Sequence, residues 1–194
     1  VTLTVDTKNV PTLLVKVFAI DSFRFHQEQQ KDVDASIELD GVVANSEQTY
    51  TYTEPPLRRA RRTFDLPMLK EPGTYIVEFV GNGISSRAVI QKGSLRYTDR
   101  VTAAGHVFRV YDETGTQRKD ASIWFGGRDY TADQDGEVLL PFSTAPGAHK
   151  VVLHHGNRSA IATFAHRAES YDLSGSVHVE REALIAGAKA TIVV

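Results

Sequence analysis

The sequence predicts an all-β chain built as two tandem sandwiches. Three observations carry this expectation. A turn–strand–turn phrase occurs twice. Segments of β-forming residues recur at short, regular spacing between Gly, Pro, Asn and Asp turn signals. The length, 194 residues, suits two sandwiches of about 100 residues each. The first copy of the phrase is Leu66 to Asn82, LPMLKEPGTYIVEFVGN, and the second is Leu140 to Asn157, LPFSTAPGAHKVVLHHGN. Leu66-Pro67 answers to Leu140-Pro141, and Pro72-Gly73 to Pro146-Gly147. Gly81-Asn82 is expected to match Gly156-Asn157 after one inserted residue. Pro fixes its own φ and Gly tolerates a positive one, so Pro-Gly makes a tight turn before each strand.

In chain order, residues 1–6 read as a strand and Thr7-Lys8-Asn9 as a turn. Pro11 to Ile20 is almost wholly apolar, with Lys16 its one charge, and suits a central strand with proline at its start. Asp21-Ser22 offers a helix N-cap, so Phe23 to Lys31 is expected to form a short helix. Ser36 to Leu39 reads as a short strand ended by Asp40-Gly41. Thr49 to Thr53 alternates threonine and tyrosine and is a strand that Pro55-Pro56 stops. Leu57 to Leu66 turns β-compatible at Thr63-Phe64, and Arg87 to Ile90 returns as the hairpin partner of the first phrase. In the second half, strands are expected at Ser94–Tyr97, His106–Tyr111, Ala121–Phe125, Arg128–Thr131, Glu137–Leu140, His149–His155 and Ala160–Phe164. Ser176–Glu180 and Ala188–Val194 are further strand candidates, with a loop or helical turn over Glu182–Gly187.

The expected organisation is a first sandwich over 1–93 with a helical insertion near 22–31 and a second over 94–168. Residues 169–194 either close the second or open a third domain. The expected core is Val15, Val17, Leu39, Tyr75, Val77 and Phe79 in the first sandwich. In the second it is Phe108, Val110, Ile123, Val151 and Leu153.

Composition narrows the function. The net charge is −2, which predicts no attraction to nucleic acid or to anionic membranes. No apolar run approaches the roughly 20 residues that span a bilayer. There is no cysteine, so disulfides, thiolate metal sites and a cysteine nucleophile are excluded here. The chain starts on Val1, already in a strand, and reads as a piece of something longer.

Asn9 to Asp21, Pro72-Gly73-Thr-Tyr75-Ile-Val77 and Arg181 to Gly187 resemble macroglobulin domains of bacterial α2-macroglobulin-like proteins. Asp112-Glu-Thr-Gly115, Asp120-Ala121-Ser and Asp133-Gln-Asp135-Gly136 resemble the gift-of-turns pattern found there. The resemblance implies tandem immunoglobulin-like, macroglobulin-like β-sandwiches in a large secreted or periplasmic protein that engages proteases. The thioester motif of that family needs a cysteine, which this chain lacks, and no bait segment is recognisable.

The candidate chemistry is sparse. His149 and His155 share a face of one strand and His154 points the other way; two imidazoles on one side could bind Zn²⁺, but no carboxylate stands at ligand spacing. Asp133, Asp135 and Glu137 invite a calcium reading that hairpin-turn chemistry explains as well. Arg58, Arg59, Arg61 and Arg62 form the densest basic run, a candidate interaction surface or a charged edge that discourages edge pairing. No nucleophile motif is present. We therefore expect no catalytic, metal-ligating or cofactor-binding residue, and no cofactor. The expected function is non-enzymatic scaffolding and protein contact. Its partners would be other domains of the same long chain and a protein or protease, with no nucleic acid and no membrane span. The alternatives are an adhesin or carbohydrate-binding tandem sandwich, or the accessory region of a secreted hydrolase.

Overall fold

The computed structural model describes residues 1–179, 181–187, 189, 192 and 193. In chain order the first unit contains β1 (Thr2–Lys8), β2 (Thr12–Ile20), helix α1 (Ser22–Gln29), β3 (Ser46–Thr51), β4 (Arg59–Asp65), β5 (Gly73–Gly81) and β6 (Ile84–Lys92). The second contains β7 (Leu95–Thr102), β8 (Gly105–Asp112), β9 (Ser122–Phe125), β10 (Arg128–Thr131), β11 (Val138–Leu140), β12 (Gly147–His155) and β13 (Arg158–His166). All strand pairs are antiparallel among the described residues.

Each unit is a small sheet facing a four-stranded one. The first pairs β1 with β4 opposite the order β3-β2-β5-β6. The second sets β11-β8-β7 opposite β10-β9-β12-β13. The repeated phrases supply β5 and β12, the third strand of the four-stranded sheet in each unit. No residue is inserted between the copies, contrary to the sequence alignment. Gly73 answers to Gly147, Gly81 to His155, Ile84 to Arg158 and Lys92 to His166, a constant offset of 74 (147 minus 73). The sequence alignment slipped because the two hairpins turn differently. Asn82 and Gly83 both have positive φ (51° and 76°), as a type I′ turn requires, whereas Gly156 alone is positive (58°) in the second. Gly73 and Gly147 share one backbone conformation, φ 151° and 155°, which glycine tolerates and a Cβ opposes.

The cores form where strand alternation points side chains between the sheets. Leu13, Val15, Val17, Val77 and Phe79 pack on Phe64, Leu66 and Leu69 in the first unit. Phe108, Val110, Ile123, Val138, Leu140, Val151, Leu153 and Phe164 do so in the second. Tyr75 departs from the expected core. It is half-buried, lying where the sheet opens toward the second unit, and its hydroxyl donates to the Glu71 carbonyl (3.0 Å).

Burial is two-sided where alternation predicts one side. Ile76 and Phe18 lie on the outer face of the first four-stranded sheet, yet both are buried beneath Leu39. Ser36 to Leu39 is not a strand. It is part of an irregular segment that folds back over the sheet, held where Arg87 Nη1 donates to the Ile37 carbonyl (2.8 Å). Leu39 is therefore buried as expected, but as a plug on the outer face. The strand expected over Ser94–Tyr97 runs on to Thr102, with Asp99 opposite Phe108.

Asp112 shows what the gift-of-turns residues do. Its carboxylate is buried and accepts from Thr114 Oγ1 (2.7 Å), from the Thr114 and Thr116 amides (3.0 and 2.9 Å) and from Arg118. The Thr114 bond and the Arg118 guanidinium hold its carboxyl far below the usual carboxylate range. Asp133 binds the amides of Asp135 and Glu137 in the same way (2.9 Å each), and Glu137 pairs with Arg100 and Arg109. These carboxylates are thus engaged in turns and ion pairs.

Beyond the second unit, His178–Val179 pairs with Ile192–Val193, and Arg181–Ala183 forms a single 3₁₀ turn. Residue 180 of one expected strand and residues 188, 190, 191 and 194 of the other lie outside the described residues.

Val77 is fully buried in the first core. Val77→Ala is expected to lower stability by about 2 kcal/mol, read as a reduced urea midpoint at unchanged slope.

Candidate functional site

The side chains most removed from ordinary sandwich chemistry meet where α1 crosses from the first unit to the second. Asp21 caps the helix, its Oδ1 accepting from the Arg24 amide (3.1 Å). Arg24 and Glu28 pair at i,i+4 (2.8 Å). Gln30 ends it in the left-handed conformation, φ 51°, and its amide donates to the His26 carbonyl (3.0 Å). Ser22 and His26, one turn apart, lie on the helix face that packs against β12 and β13.

That face is polar and fully engaged. Ser159 Oγ, on β13, donates to Ser22 Oγ (3.1 Å), and His26 Nδ1 lies 2.7 Å from Ser159 Oγ. All three residues are buried. Phe23 stacks on His154 with ring centroids 4.1 Å apart, and Lys150 Nζ donates to the Gln30 carbonyl (2.6 Å). The joint has two more pins. Gly73 passes the Asn157 carbonyl, which would stand at an ordinary contact distance of 3.5 Å from an added Cβ, so its φ of 151° and not the space favours glycine there. Gly93 passes so close to Arg158 that a Cβ there would come within 3.1 Å of it, while the Ser94 amide donates to Glu113 (3.2 Å). A cleft of about 440 Å³ remains between the units, lined by Ile20, Phe23, Pro72, Tyr75, His154 and Asn157 among others.

Ser159, His26 and Asp32 form a serine–histidine–aspartate series. The chemistry of a triad does not follow. The serine hydroxyl lies beneath the helix and donates to Ser22, and Asp32 Oδ1 is 3.9 Å from His26 Nε2. A nucleophile needs an approach path and a base that accepts its proton. Burial pushes the His26 imidazole below its ordinary pKa of 6.5, and Asp32 opposes that shift only in part. His26 is thus a neutral hydrogen-bonding group of the joint.

The other sequence candidates are dispersed. His149 and His155 share a face of β12 but stand six residues apart, ~20 Å along a strand, too far to share an ion. His149 Nε2 bonds the Ala145 carbonyl (2.9 Å) and His155 Nε2 faces Asp120 (3.0 Å). Among the described residues, no group of three or more His, Cys, Asp and Glu is placed to hold a metal ion. The arginine run is divided. Arg59 and Arg61 both hold Asp6 (2.8 and 3.1 Å) across the outer face of the β1–β4 sheet. Arg62 turns inward to Glu54 (2.9 Å) and lies 3.2 Å from the Tyr52 ring centroid. Arg58, before the strand, is exposed.

Sequence reasoning did not single out His26, Ser22 and Ser159. The helix buries serine and histidine, so its docking face carries no apolar stripe. It also missed the cluster of His106, His149 and His166 with Phe125 and Phe164 at one end of the second core. His106 is fully buried, its Nε2 accepting from the Arg167 amide (3.0 Å), and His166 Nε2 donates to the Pro141 carbonyl (2.8 Å).

With this geometry in hand, comparison with known proteins gives three findings. A family model described as the AbpF first immunoglobulin-like domain matches residues 13–93. The chain is 37% identical over 194 aligned residues to Actin-binding protein F of Dictyostelium discoideum, covering 96% of this chain. It spans only 8% of that relative's length. A crystal structure of native alpha-2-macroglobulin from Escherichia coli spanning domains MG0-NIE-MG1 is similar with a TM-score of 0.48 at 13% identity, over 83% of this chain and 57% of that one. The chain folds as tandem immunoglobulin-like β-sandwiches.

The joint makes a pH-dependent prediction. In the unfolded chain His26 titrates near 6.5, and in the folded chain lower. Stability contributed by neutral His26 is complete above 6.5 and is lost as pH falls through the folded value. The thermal midpoint is expected to drop over that window, and His26→Gln should flatten the drop. Ser159→Ala strips a partner from both Ser22 and His26 and should cost about 1–3 kcal/mol at neutral pH, measured by denaturant melts.

Proposed function

We propose that this chain is a non-catalytic pair of immunoglobulin-like sandwiches that acts as a stiff, protein-contacting segment of a longer actin-associated protein. The observation that carries the stiffness is the docking of α1 onto β12 and β13. It ties the units through buried hydrogen bonds that no two-residue linker could supply. The non-catalytic reading is supported by the constellation nearest to a triad being a buried structural contact. The partner class comes from the relative named for actin binding, of which this chain corresponds to 8%. That name favours actin over the protease implied by the macroglobulin resemblance. An actin partner would put the longer protein in a cytosol, unlike the secreted or periplasmic location expected from the sequence.

Two measurements test the reading. Co-sedimentation with filamentous actin should carry the chain into the pellet in a saturable, salt-sensitive way, and recovery equal to the filament-free control would remove actin as the partner. Small-angle scattering should fit one fixed arrangement of the two units. A profile needing a broad ensemble would remove the stiffness, whatever the actin result.

A further inference from the structure

The constant offset between the units exposes a difference between them. Phe64 and Val138 stand 74 residues apart (138 minus 64) in equivalent strands, and they pair with Leu3 and Phe108. β1 is therefore the counterpart of β8, with Val5 answering to Val110 and Thr7 to Asp112. In the second unit β8 has a partner on each side, β11 and β7. In the first, β1 pairs with β4 alone among the described residues. Among the described residues the first sandwich has no counterpart of β7.

The consequence is visible in burial. Phe108 and Val110, flanked by β7, are 0% and 1% exposed, while Leu3 and Val5 remain only half-buried. β7 sets Tyr97 opposite Val110 and Leu95 opposite Asp112. Both pack into the second core, and the Tyr97 hydroxyl donates to the Thr163 carbonyl on β13 (2.8 Å), lacing one sheet to the other. At the matching place in the first unit there is an open groove of about 220 Å³. It runs between β1 and the tip of the β5–β6 hairpin, lined by Val5, Thr7, Leu13 and Phe79, with Ile84 73% exposed on its rim. An unpaired strand edge beside an apolar groove is a template for strand addition: the edge supplies main-chain bonds and the groove takes alternate side chains.

We infer that β1 and this groove form a strand-acceptor site, filled by the stretch immediately upstream of Val1 in the longer protein. The occupant follows from connectivity. β7 reaches β8 through the two-residue turn Ala103–Ala104, pairing Thr102 with Gly105. Gly105 corresponds to the position just before Val1, so the same tight turn would deliver an antiparallel strand from directly upstream. The strand pairs with the free edge of β1 and places bulky apolar side chains, two residues apart, opposite Val5 and Thr7. Each sandwich would then take its first strand from the connection to its predecessor, as the second takes β7 directly after β6. This rests on the longer-chain part of the reading above and not on actin, so a failed co-sedimentation leaves it standing.

The test compares hydrogen exchange along β1 in the 194-residue chain with that in a chain lengthened by its own upstream residues, about ten, enough for the strand and turn. A third form carries a grafted copy of Leu95–Ala104 ahead of Val1. The lengthened chain should slow exchange of the outward β1 amides at least about ten-fold and raise the thermal midpoint. Val5→Arg, which fills the groove with charge, should abolish that gain while leaving β5 protected. Unchanged β1 exchange in the lengthened chain would overturn the inference, as would protection by the graft but not by the native stretch. A 194-residue chain that sediments as a dimer with β1 already protected would assign the site to a second copy instead and overturn the occupant.

Discussion

The contact of Ser22 and His26 with Ser159 sets the relation between the two sandwiches. Three buried polar side chains would each destabilise the fold if left unpaired, because desolvation is not offset without a hydrogen bond. Together they satisfy one another only when α1 lies on β13 in one position and one rotation. A greasy patch would permit sliding. A polar trio permits one geometry, so the joint gains definition at modest net stabilisation. The close passages at Gly73 and Gly93 then follow: with α1 seated, the Pro72-Gly73 turn passes the Asn157 carbonyl and the linker passes Arg158, and the positive φ of both glycines (151° and 79°) is a conformation that a Cβ opposes.

The segment between β2 and β3 works on both units. Its helix covers the outer face of the second four-stranded sheet, above Val152, and its irregular part covers the outer face of the first, with Leu39 over Ile76. This explains why β5 and β12 are buried on both sides in a class of sheet that usually faces water on one. Ile76 and Val152 are apolar for that reason, and the two residues are offset-related within the hairpin (74 plus two) rather than copies. The repeat thus supplies two similar sheets, and a single non-repeated insertion covers both.

How much of this was legible depends on which periodicity carried the information. The hairpins were legible, since period-two patterns and Pro-Gly and Asn-Gly turns are local signals. The inward core residues Val15, Val77, Phe108, Ile123 and Val151 followed from the same alternation. The helix was legible through its cap, Asp21, and not through its face. Its partner strand was not legible, because Ser159 reads as an ordinary polar strand residue until the helix is seen above it. Leu39 was placed in the core by its hydrophobicity, while its strand was an error of conformation: an apolar residue flanked by Glu38 and Asp40 alternates by chance, and tertiary packing set the backbone. Arg58, Arg59, Arg61 and Arg62 looked like one patch because they are close in sequence. Arg58 lies before the strand, and alternation divides the rest between an outward ion pair of Arg59 and Arg61 with Asp6 and an inward stack of Arg62 on Tyr52.

The unequal sheets tie the joint to the second core. A sandwich of this kind closes when both sheets have enough strands to cover the shared core. The second unit reaches that state with β7, which belongs by sequence to the connection between units and by packing to the second core. A boundary drawn at Gly93 therefore separates two sets of hydrogen bonds but not two independent sequences of core residues: Leu95, two residues past it, is already a core side chain. Connection and core share residues, so bending the joint would pull on the second hydrophobic cluster as well as on α1. Stiffness between the sandwiches and stability within the second are coupled through the same short stretch of chain.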